Sequence, residues 1–353
     1  MANNYGSIDA KSLLKQYESA VSQRQLWQPL FDQAYRWLLP TRLPLIEKAN
    51  REFQGNARQR GKERTDHIFD PTGEESTWAF ANNLQMTVMP PFTKWATIEV
   101  GDNLKNLPQS YTDFYGPITD TTINSLKDQL EYINETIFTY LKRSALDSII
   151  NESFQDLAIS MGVLLVNEGD LENPLKFESV PANDVIIDST DNLHINNVWR
   201  SLTLEVRKIQ NIWPDAQLSN ELQQMLASNP DNQVKLIEGA ITCKPNELGQ
   251  KYFYFVMDNQ GRNIIFEEWR DIFPWLVFRG MKSPGELYGR GPGLIALPAV
   301  RVLNRMAEYN LRGSQFNAIP LLLYSEQMNI NPMTFTLEPG SIIKVPSNIA
   351  PRS

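Results

Sequence analysis

The sequence predicts an α+β protein, and three observations carry that prediction. Apolar residues recur at helical spacing through the N-terminal third. The period changes to two through the middle. A long amphipathic helical pattern follows a run of alternating glycines near residue 290. With 353 residues, of which 42% are hydrophobic, the chain can bury a sizeable core as one large or two to three smaller folding units.

The elements follow in order. Residues 8–39 place Leu13, Leu14, Tyr17, Val21, Leu26, Leu30, Tyr35 and Leu38 at helical spacing, and Pro40 stops the pattern. The stretch 51–65, REFQGNARQRGKERT, has five basic residues and no periodicity, so it reads as a solvated loop or a basic arm. In DPTGEESTWAFANNLQMTVMPP, Thr72 and Glu75 have capping-box spacing and Pro90-Pro91 ends the helix, whose face carries Trp78, Leu84 and Val88. WATIEV (95–100) alternates as a short strand. From about 122 to 161 the spacing of Ile133, Ile137, Leu141, Ile149, Ile150, Phe154, Leu157 and Met161 predicts amphipathic helix. A hairpin (VLLVNEGDLENPLKFESVP) and strands VIIDS and VWRSLTLEV come next. After a helical interlude, VKLIEGAITC, KYFYFVMD and NIIFEEW alternate, the last two flanking the turn Asn259-Gln260-Gly261. IFPWLVFRG leads into PGELYGRGPG.

Composition narrows the function. A formal net charge of −8 argues against a general nucleic-acid binder, yet an acidic surface can surround DNA without gripping it. Cys243 is the single cysteine, which points to a reducing compartment with no disulfide. The N-terminus lacks the apolar core of a signal peptide and no apolar run reaches the roughly 20 residues of a membrane span, so the expectation is a soluble, cytosolic product. His67 and His194 stand in unrelated contexts and read as surface or capping groups. No nucleophile elbow, zinc-protease motif, Walker loop or C-x-x-C occurs, and the expectation is no enzyme, cofactor or metal.

The glycine run is the one motif with a chemical reading. Gly289 and Gly291 match half of a dinucleotide fingerprint, but Gly293 comes one place early and the next acidic residue, Glu308, lies in a helix. The structural reading fits better. Gly289, Arg290, Gly291, Pro292 and Gly293 form an elbow in which Gly289 and Gly291 take positive φ, and Pro298 must fall in the first turn of the helix. That helix has about 21 to 25 residues, or roughly 30 to 37 Å. Leu297, Val300, Leu303 and Met306 form a narrow seam, and Arg301, Arg305 and Arg312 share one side. Such a helix needs neighbours, most simply other copies of itself.

GELYGRGPG followed by ALPAVRVLNRM resembles the signature of the head-to-tail connecting (portal) proteins of short-tailed bacteriophages. DPTG, PPFTKW, SFQDLAISMGVLLV, FESVPANDVIID, AIPLLL and LEPGSII continue the resemblance in collinear order over nearly the whole chain. It implies a subunit of a twelve-fold ring at one capsid vertex. DNA passes through, weakly bound, during packaging and ejection, and the ring meets terminase, tail adaptor, capsid and scaffold proteins. Residues 1–285 correspond to a wing, helical to about 162 and strand-rich to about 285. Residues 286–318 correspond to the elbow and first stem helix, and 319–353 to a clip of short strands. Family members continue with a second stem helix, so the native product is expected to extend beyond Ser353. Two alternatives stay open: a virion connector or tail adaptor without a channel, and a nucleotide-dependent enzyme using the glycine run. The three arginines either meet DNA phosphates or pair with carboxylates on the adjacent subunit, and the acidic net charge favours the second.

Overall fold

The structure is a computed structural model that describes residues 8–42, 67–101, 120–189, 194–318, 322–325 and 342–345. The basic stretch 51–65 and much of the C-terminal segment lie outside the described residues. The fold mixes helix and sheet as an α+β architecture. Its helices are α1 (Ala10–Gln25), α2 (Gln28–Leu38), α3 (Thr72–Val88), α4 (Asp120–Arg143), α5 (Leu146–Leu157), α6 (Val206–Ile212), α7 (Asn220–Ser228) and α8 (Pro292–Ala318). Its strands are β1 (Met161–Glu168), β2 (Leu175–Ser179), β3 (Val185–Asp188), β4 (Asn197–Glu205), β5 (Gln233–Thr242), β6 (Tyr252–Asp258), β7 (Ile264–Arg270), β8 (Trp275–Arg279), β9 (Leu322–Ser325) and β10 (Ile342–Val345).

An antiparallel sheet in the order β3-β4-β5-β6-β7 forms the centre. One face, with Trp199, Ile237, Phe253, Phe255 and Met257, packs on Leu13 and Ala20 of α1. The other face, with Val198, Leu236, Tyr254 and Val256, joins Phe31 and Tyr35 of α2 and Val163 and Leu165 of β1. Both faces are covered, which is why β6 is apolar at almost every position rather than at alternate ones. A second sheet, β2-β1-β8, carries the predicted hairpin, with Leu164 opposite Ser179 and Glu168 opposite Leu175. The two C-terminal strands pair in parallel, Ile342 beside Leu322.

Several expectations are corrected. The first helical stretch is two helices, because Pro29 near the start of α2 suits a first turn and would break a continuous helix. Leu26, at the break, is exposed. The stretch from 122 divides at Ala145, whose φ of 55° ends α4. That left-handed residue costs about 1 kcal/mol. It turns Leu146, Ile150, Phe154 and Leu157 into a core with Ala81 and Leu164. WATIEV has no ladder partner among the described residues. On α3 the buried face is Gly73, Thr77 and Ala81, while Trp78 and Val88 are exposed. The capping box does not form either: the Thr72 amide donates to Asp70 Oδ1 at 3.0 Å, and no side chain caps from the N-cap position.

Between the two sheets lies a cleft of about 680 Å³ with a polar floor. The Trp213 indole N–H donates to Tyr254 Oη (3.2 Å), and the Tyr254 hydroxyl donates to Glu238 Oε1 (2.5 Å). Glu238 Oε2 lies 3.5 Å from Arg200 Nη1, and Arg200 Nη2 also donates to Glu178 (2.6 Å). Burial raises the Glu238 carboxyl above its ordinary value, more than Arg200 lowers it. The folded protein therefore holds this proton at a pH where the unfolded chain has released it, so this group's contribution to stability grows as pH falls toward 4.5. We expect wild type to gain stability relative to Glu238→Gln when urea unfolding at pH 5 is compared with pH 7. A constant difference, or a loss, would contradict this assignment.

Candidate functional site: the glycine elbow and the long helix

The elbow is held by its tyrosine. Tyr288 is buried among Trp27 and Phe31, with ring centroids 5.8 Å away in each case, and the Arg24 guanidinium lies 4.7 Å from its ring. Its hydroxyl oxygen accepts from the Ile187 amide at 3.4 Å. Arg290 donates from Nε and Nη2 to the two carboxylate oxygens of Glu286 (2.8 and 2.7 Å) and sits over Trp27. The segment is thus fixed from α1, α2 and β3 before the long helix begins.

The glycines serve close approach. Positive φ among the described glycines occurs at Gly249, Gly261 and Gly285, so the expectation for Gly289 and Gly291 is corrected, while the predicted turn at Gly261 does need it. A Cβ on Gly291 would stand 2.1 Å from the Ala158 carbonyl oxygen, and one on Gly289 2.4 Å from that of Ser160. The Gly291 amide donates to Ile159 O and the Gly293 amide to Ala158 O, each at 2.8 Å. Those two amides, which a phosphate cradle would need free, are spent on the loop between α5 and β1.

That loop is itself pinned. Asp156 is fully buried at the end of α5, where it accepts from the Tyr35 hydroxyl (3.2 Å) and the Ala182 amide (3.1 Å) and pairs with Arg42 (2.8 Å). Burial raises its carboxyl, and Arg42 opposes the shift. One buried carboxylate ties α2, α5 and the approach to β3 to the surface on which the elbow rests.

The long helix starts at Pro292 and runs 27 residues, about 40 Å. Pro298 stands in its second turn rather than its first, and it is exposed; lacking an N–H, it leaves the Leu294 carbonyl without its helical donor. The predicted seam is divided. Leu297 is 4% exposed and Val300 half-buried, both facing the subunit, whereas Leu303 and Met306 are exposed. Residues three apart precess by about 60° around a helix, so four in a row cannot share one face.

Asn304 takes the place of the third seam residue. It is buried, its Oδ1 accepts from the Phe69 (2.7 Å) and Asp70 (3.1 Å) amides, and its Nδ2 donates to His67 O (3.1 Å). His67 in turn contacts Arg36 O at 2.9 Å and meets Trp37 edge-on. Gly73 completes the seat, since a Cβ there would lie 2.7 Å from Val300 Cγ1. The D-x-T-G motif thus resolves into physical roles: Asp70 caps α3, and Gly73 lets α3 reach the long helix. Asn304→Ala leaves two amides and a carbonyl unpaired. We expect it to lower unfolding stability in urea by about 1 to 3 kcal/mol, with Asn304→Asp, which keeps the acceptor but turns a carboxylate oxygen toward the His67 carbonyl, also losing stability. Equal stability of all three proteins would refute the clamp.

Among the described residues nothing covers the opposite side of the helix. Ile295, Ala299, Val302, Met306 and Tyr309 are all exposed, at intervals of four, three, four and three residues. Of the arginines, Arg312 pairs with Glu308 (2.7 Å), Arg301 reaches Gln33 (3.5 Å), and Arg305 is exposed. Among the described residues there is no group of three or more His, Cys, Asp or Glu placed to hold a metal. None of their helices is long and apolar enough to cross a membrane.

Asn304, Asp156 and Glu238 were not singled out from the sequence. For Asn304 a signal existed: a polar residue seven places from Leu297 and four from Val300 sits on the buried face. Asp156 and Glu238 gave none, because their partners are far away along the chain.

No curated protein matches this sequence. The sequence profile of bacteriophage head to tail connecting proteins matches residues 10–350, which takes in the elbow, the long helix and the D-x-T-G segment that seats it. With nearly its whole length matched, the chain belongs to the family of bacteriophage head to tail connecting proteins.

Proposed function

We propose that this connector is the subunit of a ring-shaped channel at one capsid vertex, through which DNA is packaged and ejected. One observation carries the reading: the long helix has two apolar faces and its own subunit covers one of them. Leu297, Val300 and the Asn304 clamp seat the inner face, while Ile295, Ala299, Val302, Met306 and Tyr309 line the outer one. A stripe at that spacing is the pattern of a helix–helix seam, and a stripe in water is normally covered by a partner. If every copy covers its neighbour's stripe in the same way, the contacts close into a ring when the rotation allows.

On this reading residues 1–285 form the wing, 286–318 the elbow and first stem helix, and 319–353 the clip-like strands. Family resemblance supplies the twelve-fold count and the partners: terminase, tail adaptor, capsid and scaffold proteins, with weakly held double-stranded DNA. The net charge of −8 agrees with DNA that slides rather than binds. Arg301, Arg305 and Arg312 belong to contacts with the adjacent subunit. Negative-stain images of the purified protein test the proposal. Rings with a central hole are the expected result, and solid or unassembled particles overturn it. A solid oligomer favours an adaptor without a channel.

A further inference from the structure

The long helix is seated at two places, and both seats lead back to the last turn of α2. The first seat is the loop under the elbow. Its Ala158 and Ile159 carbonyls hold the Gly293 and Gly291 amides, and its Ile159 and Ser160 amides donate to the main-chain oxygen of Asp156 (3.0 Å each). The Asp156 side chain is held by Tyr35, within that last turn, and by Arg42 just beyond it. Arg42 also donates to Glu152 O (2.9 Å), a second grip on α5. The second seat is Asn304 with residues 67–70, and His67 ties it to the Arg36 carbonyl and the Trp37 ring.

A proline makes the second tie available. Inside a helix the Arg36 carbonyl would accept from the amide four residues on, and residue 40 is proline, which has none. The orphaned carbonyl accepts from His67 Nε2–H at 2.9 Å instead. Leu38, 2% exposed, stands between the seats: a Cβ on Gly293 would lie 2.7 Å from its Cδ1, and one on Gly73 3.4 Å from its Cδ2. Four consecutive residues thus meet the two supports, and Tyr35, Leu38, Asp156 and Asn304 are all buried.

We propose that the last turn of α2, Tyr35–Leu38, couples the two seats, so that the long helix is held or released at both together. Close-packed, hydrogen-bonded contacts of this kind transmit strain, and coupling between two sites is reciprocal. Loosening the Asn304 seat is therefore felt at the elbow, and loosening the Asp156 seat is felt at residues 67–70. The angle of the long helix, and with it the stripe that the helix presents, becomes one setting rather than two. The coupling operates within one subunit and does not depend on a ring or a channel.

Hydrogen exchange of the purified protein reads the seats separately, through the Gly291 and Gly293 amides at one and the Phe69 and Asp70 amides at the other. Tyr35→Phe removes a bond from the first seat alone, and Asn304→Ala removes bonds from the second alone. We expect each to speed exchange at the remote seat at least about threefold, while the amides of β5 and β6 keep their wild-type rates. The long helix itself also joins the two seats, so Leu38→Ala is the discriminating background, with Leu38→Val in its place if the alanine variant does not fold. With the α2 contact cut back, the remote effect of either substitution should disappear and each local effect remain. Unchanged exchange at the remote seat in both single variants overturns the proposal. So does a remote effect that survives truncation of Leu38, which would assign the coupling to the long helix alone. Equal acceleration in β5 and β6 would mean that the whole subunit opens, and overturns it as well.

Discussion

Gly291→Val lowers the stability of the purified subunit by about 3 kcal/mol or more, enough to unfold a marginal chain. The added Cβ alone would stand 2.1 Å from Ala158 O and 2.4 Å from both Ala158 C and Leu157 O. All three are backbone atoms, so no rotamer change relieves the clash. The elbow must withdraw by roughly 1 Å or more to restore ordinary contact. Withdrawal stretches the bonds from the Gly291 and Gly293 amides to Ile159 O and Ala158 O, and each buried donor left unpaired costs about 1 to 3 kcal/mol. Gly313→Ala is the control, because a Cβ there meets nothing within 4 Å and alanine favours the helix. Urea unfolding of the two variants decides the matter. A Gly291→Val protein as stable as wild type would show that the elbow does not rest on the α5–β1 loop.

Val302→Asp combined with Met306→Asp abolishes assembly while leaving the subunit folded. Both side chains are more than half exposed, at 58% and 57%, so the monomer gains no buried charge. In an assembly whose neighbour covers the stripe, two carboxylates would be buried without partners, at a cost of several kcal/mol per copy (about 2 or more for each). The cost repeats at every interface. Leu297→Asp gives the opposite pattern. Leu297 is 4% exposed inside its own subunit, so a charge there destabilises the fold itself. Size-exclusion chromatography with light scattering separates the outcomes: folded monomers for the double variant, unfolded or aggregated material for Leu297→Asp. If the double variant forms the parental oligomer, the interface lies elsewhere.

Local order in the chain was legible where short-range signals agree. The strand runs of the middle, their turn at Gly261 and the start of the long helix follow from alternation, glycine and proline within a few residues. Other local readings failed because tertiary contacts compete with them. The helical period passes through Ala145 without a mark. The break there is stabilised by burying Leu146, Ile150, Phe154 and Leu157 against β1 and α3, partners that no window around residue 145 contains. WATIEV has strand alternation and no ladder, since a strand is a property of a pair.

The sequence by itself determined that a run of alternating glycines stands at 289–293, that a long helix follows, and that this helix carries an apolar seam. Periodicity and steric size are written residue by residue. Only the tertiary structure decided why the glycines are needed and which apolar residues remain uncovered. Close approach to Ala158 and Ser160 and the seat formed by Asn304 with residues 67–73 join segments more than 120 residues apart. Contacts at that separation form only when the whole core closes, so the face of the helix left for a neighbour is what remains after the subunit has covered its own.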